Sequence, residues 1–476
     1  MYNICFIARR PFDNLSPAIF KDLKKNFDSD IHGVFITLDS KETAYIRQKF
    51  SGEDITICEL SEYMNAHWDE FSMDALVAFE EKFRAKPLWK YIYTDRFLLN
   101  KDHDYVVHTT AGLFSFFEYV FTTYNIDFYY DEVIATLFTY VAYLVGKKTG
   151  AEYFTLFLMR AVGMDLTHHY VTNDPFEMMY DMPDNYLELS YSDEELQCAD
   201  EFLKGFEEKH SKPLIMSIAG RKPKFKLSFL GLPLFYIRQR FFNKFTRDKG
   251  EYIYYKAYEH TLDPIKFYFR YQFSKKYYHK ADLSKKFVYF PLHLQPEATT
   301  IVCAQKYEKQ LYFIDNLAKS VPADTMIYVK EHYSFLGSRE NEFYKTLKNY
   351  PNVVLIDPWE DSFALIEKSV CVATLTGTAG IEAMLLRHPV IMGGDIMYEN
   401  APGIMRIEDI FDNYVSAIEG YKQPDRQDIV KYLAAYFRSA RPGNTYALSE
   451  ARLEPENVAK LAESMYNYFQ EKKPRN

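Results

Sequence analysis

Cysteine is scarce and scattered: Cys5, Cys58, Cys198, Cys303 and Cys371 are the five in 476 residues, and no two form a CxxC pair. An odd number at such wide spacing does not suit a disulfide framework, and a reducing cytoplasm is the default expectation. Long apolar runs are missing as well. The longest, residues 133–146, is about fourteen residues and carries Thr and Tyr, whereas a spanning helix needs about 20. It reads as a buried helix, and any membrane contact is expected to be peripheral, at the inner face of the plasma membrane. The start, MYNICFIARRPFDN, lacks the basic opening, apolar run and small-residue cleavage site of a secretory signal. No internal repeat or low-complexity tract is present. Lys and Arg (57) are outnumbered by Asp and Glu (66), a net charge of −9 that argues against a general nucleic-acid binder. What is abundant is apolar (48 %) and aromatic (17 %), which excludes disorder and collagen-like or coiled-coil architectures.

Hydrophobic periodicity organises the chain. Residues 3–8 (NICFIA), 32–37 and 55–59 read as strands with a helix over 16–25, the pattern of a βαβ unit. Further strands are expected at 89–93 and 126–130, each ending on acidic residues, with a helix over 133–145. This amino-terminal α/β domain is expected over residues 1–215. Residues 216–286 read as a linker or insertion, and within them 221–286 hold 17 Lys or Arg against 5 Asp or Glu, a surplus of twelve, with about eighteen interleaved Phe or Tyr. Two readings stand open: a helical linker whose aromatics pack on a core, or an interfacial surface that meets anionic lipid.

From residue 287 strands and helices alternate regularly. Strands at 287–292 (FVYFPL), 325–330 (TMIYVK), 352–356 (NVVLI), 370–375 (VCVATL) and 389–392 are separated by helices at 304–320, 339–349, 362–368 and 379–386. Repeated right-handed βα units predict a parallel, doubly wound sheet over 287–425, followed by tail helices within 426–476. The expected class is α/β, with two Rossmann-like domains joined by the basic aromatic segment.

In such sheets ligands bind beyond the carboxyl ends of the strands, and the polar residues gather there. The first strand end offers His293, Gln295 and Glu297, and the second Lys330, Glu331 and His332. The third offers Trp359, Asp361 and Ser362, and the fourth Thr376, Gly377 and Thr378. TGTAG at a strand-to-helix turn suits an anion held by backbone N–H groups, or equally a tight turn with a Thr cap. Lys330 and His332 would meet a phosphate of the same ligand, Glu382 a ribose hydroxyl, and Trp359 either a base or the protein's own packing. Gln295 and Glu297, two apart around Pro296, share a face if extended and suit hydroxyl-rich sugars. Asp361 and Ser362 look like helix caps. No GxGxxG, Walker loop, HExxH or GxSxG is found, so neither a cofactor nor a metal is expected.

The order PLHLQPEATT, VKEHYSFLGSR, YPNVVLIDPWEDSFALI and TGTAGIEAMLLRHPVIMGG resembles the bacterial capsular-polysaccharide synthesis and export family. Some members are Kdo transferases using CMP-Kdo, and the family's fold is similar to the two-domain GT-B glycosyltransferases. The resemblance covers roughly residues 287–395. It implies that Gln295 and Glu297 form a QxE motif, that His332 belongs to a His-Pro motif holding the donor phosphate, and that Thr376, Gly377 and Thr378 bind the same donor. The family's proline is Tyr333 here. The expected activity is transfer of a sugar from a nucleotide donor, CMP-linked in the Kdo case, to a growing surface polysaccharide or glycolipid, with a non-catalytic export-coupling role as the alternative. Transfer needs a group to deprotonate the acceptor. Asp13, Asp95 and Glu132 are the amino-terminal candidates, Glu132 preferred because it precedes an apolar helix; Glu297 and His332 complete the catalytic set. Arg9, Arg10 and Arg96 are candidates for an anionic acceptor or sugar carboxylate.

Overall fold

The computed structural model describes residues 2–8, 14–51, 53–99, 101–131, 133–161, 164, 166–210, 223–243, 252, 261–447 and 449–473. The candidates Arg9, Arg10, Asp13 and Glu132 lie outside the described residues. In chain order the strands are β1 (Tyr2–Ile7), β2 (Ile31–Thr37), β3 (Ile55–Glu59), β4 (Phe128–Tyr130), β5 (Glu152–Leu158), β6 (His168–Thr172), β7 (Lys286–Pro291), β8 (Thr325–Lys330), β9 (Val353–Ile356), β10 (Cys371–Thr374), β11 (Val390–Met392), β12 (Ile404–Arg406) and β13 (Arg441–Pro442).

They form two sheets, ordered β13-β6-β5-β4-β1-β2-β3 and β12-β11-β10-β7-β8-β9. The first is parallel from β3 to β5 and ends in antiparallel β6 and β13. The second is parallel throughout. Near-continuous apolar strands such as FVYFP require cover on both faces, which crossover helices supply. Each order winds outward in two directions, from β1/β4 in one sheet and from β7/β10 in the other. The class is therefore α/β, with two Rossmann-like sheets. Among the described residues no helix is long and apolar enough to cross a membrane.

The chain divides into one compact unit of residues 1–181, 246–255 and 439–476, and a second of 182–245 and 256–438. The expected borders at 215, 286 and 425 fall elsewhere. Helix Asp193–Lys209 packs on helix Arg426–Arg438 in the second unit. Helix Pro455–Lys472 belongs to the first, where Val458, Leu461, Met465, Tyr468 and Phe469 share a core with Ile4, Phe6, Phe128 and Phe154. The Phe469 and Phe128 rings lie 4.4 Å apart. Burial of those side chains, at about 1.5–3 kcal/mol each, holds the tail on a sheet built more than 300 residues earlier.

Three local expectations are corrected. Residues 89–93 do not form a strand: Trp89–Ile92 is a helical turn. There Ile92 is buried while Trp89 and Tyr93 face water, so no alternating face is available to a sheet. The helix expected from 133 begins at Leu137, because the Asp95 carboxylate accepts the Leu137 amide (2.9 Å) and caps it there. The helix expected over 304–320 starts at Gln310 after short turns at Ala298–Ile301 and Gln305–Tyr307. The buried Gln310 amide group holds both the N–H (2.8 Å) and the C=O (3.1 Å) of His293, which anchors that helix start to the end of β7.

Asp95, one of the acidic strand-end candidates, is fully buried. Besides Leu137 it accepts the amides of Phe97 (2.7 Å) and Leu98 (3.1 Å) and the hydroxyl of Tyr252. Burial pushes its pKa up, and these hydrogen bonds oppose the rise. Its geometry is that of a structural staple, with the carboxylate turned to the protein's own donors.

Candidate functional site

The site candidate of the second unit lies where β7 and β10 stand side by side and their connections diverge, the position at which doubly wound sheets bind ligands. His293, two residues beyond β7, bridges to the loop after β10. Its Nε2 accepts the Thr376 amide (3.1 Å) and lies 3.2 Å from Thr374 Oγ1. An Nε2 that accepts places the ring proton on Nδ1. That Nδ1 is buried and has no hydrogen-bond partner among the described residues. Burial first, then the charges of Arg339 and His332, push the His293 pKa down to about 3, so the ring is neutral at neutral pH.

The TGTAG turn is shaped by this histidine. A Cβ at Gly377 would lie 2.9 Å from Thr374 Oγ1 and 3.0 Å from His293 Nε2, and one at Gly380 would lie 2.7 Å from the Tyr398 hydroxyl. The Thr376 amide is bound by His293, the Gly377 amide by Thr374 Oγ1 (3.0 Å), and the Gly380 amide by the Gly377 carbonyl (2.9 Å). The glycines thus make room for side chains of the site, and these three N–H groups serve the turn itself. Helix Thr378–Leu385 follows, with Gly377 extended at its cap position, so its positive end opens beside His293. Thr376 Oγ1 donates to the Thr299 carbonyl (2.8 Å) and ties the turn to the segment after Glu297.

A buried ion pair braces the opposite flank. Arg339 Nε donates to Glu331 Oε2 at 2.9 Å, with side-chain exposures of 5 % and 0 %. The same guanidinium reaches Gln295 Oε1 (3.2 Å) and the His293 carbonyl, and lies over the rings of Phe335 and Phe343. Glu331 further accepts the Tyr344 hydroxyl and the His332 amide, both at 2.8 Å. His332 Nδ1 accepts the Ser334 amide (3.2 Å), which leaves Nε2 as the ring nitrogen able to donate. Its ring stacks on Tyr333, the residue that replaces proline.

The structure accordingly brings Thr376 and Gly377 against His293, links Gln295 to its carbonyl through Arg339, and gives several expected ligands other contacts. Gln295 is held at both ends, its oxygen by Arg339 and its nitrogen by the Glu308 carbonyl. Glu297 accepts a hydrogen bond from the Thr299 hydroxyl (3.0 Å). The Lys330 ammonium is buried on the Glu360 carbonyl (2.6 Å) and Ser362 Oγ (2.7 Å), which is turned to Lys330 while Asp361 caps the helix through the Phe363 amide. Glu382 is buried, and its charge helps to raise the pKa of Tyr333 behind the larger effect of burial. Trp359 is 45 % exposed on the β9 loop. Arg339 was read from sequence as the first residue of a helix; its position eight residues after Glu331 in one loop was the available signal.

Two buried histidines make stability acid-sensitive. His293 in the second unit, and His169 in the first with a pKa pushed down to about 4 by burial, both refuse in the folded state protons that the unfolded chain accepts below its usual 6.5. Their contribution is complete above pH 6.5 and declines as pH falls, by about 1.4 kcal/mol per pH unit for each group. At pH 5 each unit is expected to have lost about 2 kcal/mol on this account. Urea unfolding of the wild type and His293→Gln at pH 7 and 5 checks it: the variant's second unit should show the smaller pH dependence, and identical dependence in both would overturn it.

Residues 236–434 match the model of the family described as capsule polysaccharide biosynthesis protein. A solved β-Kdo 2,4 transferase, KpsC of Thermosulfurimonas dismutans, is 15 % identical over 72 % of this chain and 87 % of its own, with a TM-score of 0.37. The β-Kdo 2,7 transferase of the same organism is 11 % identical over 98 % and 99 %, with a TM-score of 0.33. A UDP-GlcNAc 2-epimerase of Methanocaldococcus jannaschii is 11 % identical over 91 % and 98 %, with a TM-score of 0.25. At these TM-scores the likenesses carry no information about activity. The comparison with curated proteins finds no match.

Proposed function

We propose that this protein is a glycosyltransferase of capsule or surface-polysaccharide assembly, and that the β7/β10 loops of the second unit hold the phosphate of its nucleotide-sugar donor. The observation that supports this most is the neutral His293, its buried Nδ1–H without a hydrogen-bond partner among the described residues, beside the first turn of helix Thr378–Leu385. A buried donor left unmet costs about 1–3 kcal/mol, and a ligand oxygen would meet it. In this reading His293 Nδ1–H, His332 Nε2–H and the helix end stabilise the departing phosphate without a metal. Glu297, Glu382, Trp359 and Lys330 stand around the donor rather than on its phosphate, and Glu132 remains the proposed acceptor base. CMP-Kdo is the first donor to test, and a glycan or glycolipid the acceptor.

Calorimetry in EDTA against CMP-, UDP- and GDP-sugars tests the reading. One donor should bind, and His293→Phe should weaken it roughly ten- to hundredfold, the loss of one hydrogen bond to a charged group. Unchanged affinity in the variant, or no binding by any donor, would overturn it. A second reading, a non-catalytic member of capsule assembly, is favoured by the internal engagement of Lys330 and Gln295. Full polymer production in cells carrying Glu297→Gln and His332→Ala would select it.

A further inference from the structure

Among its described residues, the second unit carries a run of apolar side chains with high exposure. Leu227, in the turn Leu227–Gly231, is 82 % exposed. Leu230 (68 %), Leu234 (75 %), Ile237 (63 %) and Phe241 (65 %) follow along that turn and helix Leu232–Asn243. Leu234, Ile237 and Phe241, three and four residues apart, share one side of helix Leu232–Asn243. In a folded chain such a stripe is ordinarily turned to the core, and a contiguous exposed patch of this kind marks an interaction site.

The charge around it is of one sign. From residue 209 to 247 the sequence has ten Lys or Arg and no Asp or Glu, with Lys224, Lys226, Arg238 and Arg240 in or next to the stripe. A second helix, Asp263–Ser274, adjoins through the Phe225 and Tyr268 rings, 5.5 Å apart. It adds exposed Phe269 and Phe273, four residues apart, and Lys276 follows with its ammonium 3.7 Å over the Phe273 ring. The other side of this helix is tied to the donor-site loop. Gly337, at φ +82°, has no room for a Cβ against the Phe267 carbonyl, and Arg270 donates to the Ser338 carbonyl (3.1 Å).

We infer that residues 224–241, with Phe269 and Phe273, form an in-plane docking surface for a bilayer of anionic phospholipid. Large aliphatic and aromatic side chains enter the acyl boundary while Lys and Arg stay at the phosphate level. The composition decides against the other occupants. A second copy related by a two-fold axis would set this basic face against itself. Single-stranded nucleic acid uses aromatic platforms and offers nothing to Leu227, Leu230, Leu234 and Ile237. The surface is separate from donor binding, and places the proposed enzyme where a lipid-borne acceptor resides.

Flotation of the full chain with vesicles of phosphatidylcholine alone, or with 30 % phosphatidylglycerol, tests the inference. Binding is expected to the anionic vesicles only and to weaken as salt rises. The triple variant Lys224→Glu, Lys226→Glu, Arg240→Glu should lower partitioning on the order of a hundredfold, at roughly fivefold or more per charge. Leu234→Ser with Ile237→Ser should lower it at unchanged charge. Both variants should keep the wild-type melting temperature and donor affinity, so that failure here is distinguishable from failure of the transferase reading. Equal flotation with both vesicle types, or wild-type flotation of the charge variant, would overturn it. So would a dimer in solution that Leu234→Ser with Ile237→Ser dissociates while flotation persists.

Discussion

Arg339→Ala is expected to destabilise the second unit by about 3–5 kcal/mol, the range for removing one partner of a buried ion pair. Among the described residues, the substitution leaves the Glu331 carboxylate, whose side chain is wholly buried, with the Tyr344 hydroxyl and the His332 amide. It also releases Gln295 Oε1 and the His293 carbonyl. Arg339→Lys keeps the charge but lacks the planar fork that reaches three acceptors, and should fall between. The double variant Glu331→Gln, Arg339→Met removes both charges and should recover part of the loss. Urea unfolding followed on the second unit's transition reads all three. An Arg339→Ala midpoint within about 1 kcal/mol of wild type would show that the pair behaves as a surface salt bridge.

Asp95→Ala is expected to act as strongly on the first unit. Three amides, those of Phe97, Leu98 and Leu137, and the Tyr252 hydroxyl lose their acceptor together. At about 1–3 kcal/mol for each buried donor left unmet, a loss of at least about 3 kcal/mol follows. Tyr252→Phe removes a single hydroxyl and should cost about 1 kcal/mol. It tests the staple from the side of residues 246–255, which belong to the first unit although the chain has by then entered the second. A first unit that unfolds at wild-type urea concentration in Asp95→Ala would return the residue to the candidates for acceptor chemistry.

Asp95 and Lys330 show how far a reading of the chain reaches into the fold and the site. Both stand at the ends of apolar stretches, where an α/β sheet gathers its catalytic groups, and from sequence they are indistinguishable from reactive residues. Their roles follow from what faces them: backbone amides and a tyrosine in one case, a carbonyl and a serine in the other. His293 was legible as a strand-end residue, but its tautomer depends on a hydrogen bond to Thr376, 83 residues away. The glycines of TGTAG were legible as a turn. That Gly377 makes room for an imidazole and Gly380 for a tyrosine required neighbours contributed by other elements.

What the order of residues determined on its own was local or periodic. The alternation of apolar strands with amphipathic helices after residue 286 was enough for a parallel, doubly wound sheet, and β8 (Thr325–Lys330) and helix Ser362–Lys368 stand at their expected bounds. The same holds for the excess of positive charge in 221–286 and for the motif order shared with the capsule family. Tertiary structure alone decided which unit the tail helix Pro455–Lys472 joins, because an apolar stripe states that it must be covered and not by what. It alone decided that Arg339 closes on Glu331 and that Leu227, Leu230, Leu234 and Ile237 are exposed. Periodicity is a property of neighbours along the chain, whereas partnership is a property of neighbours in space.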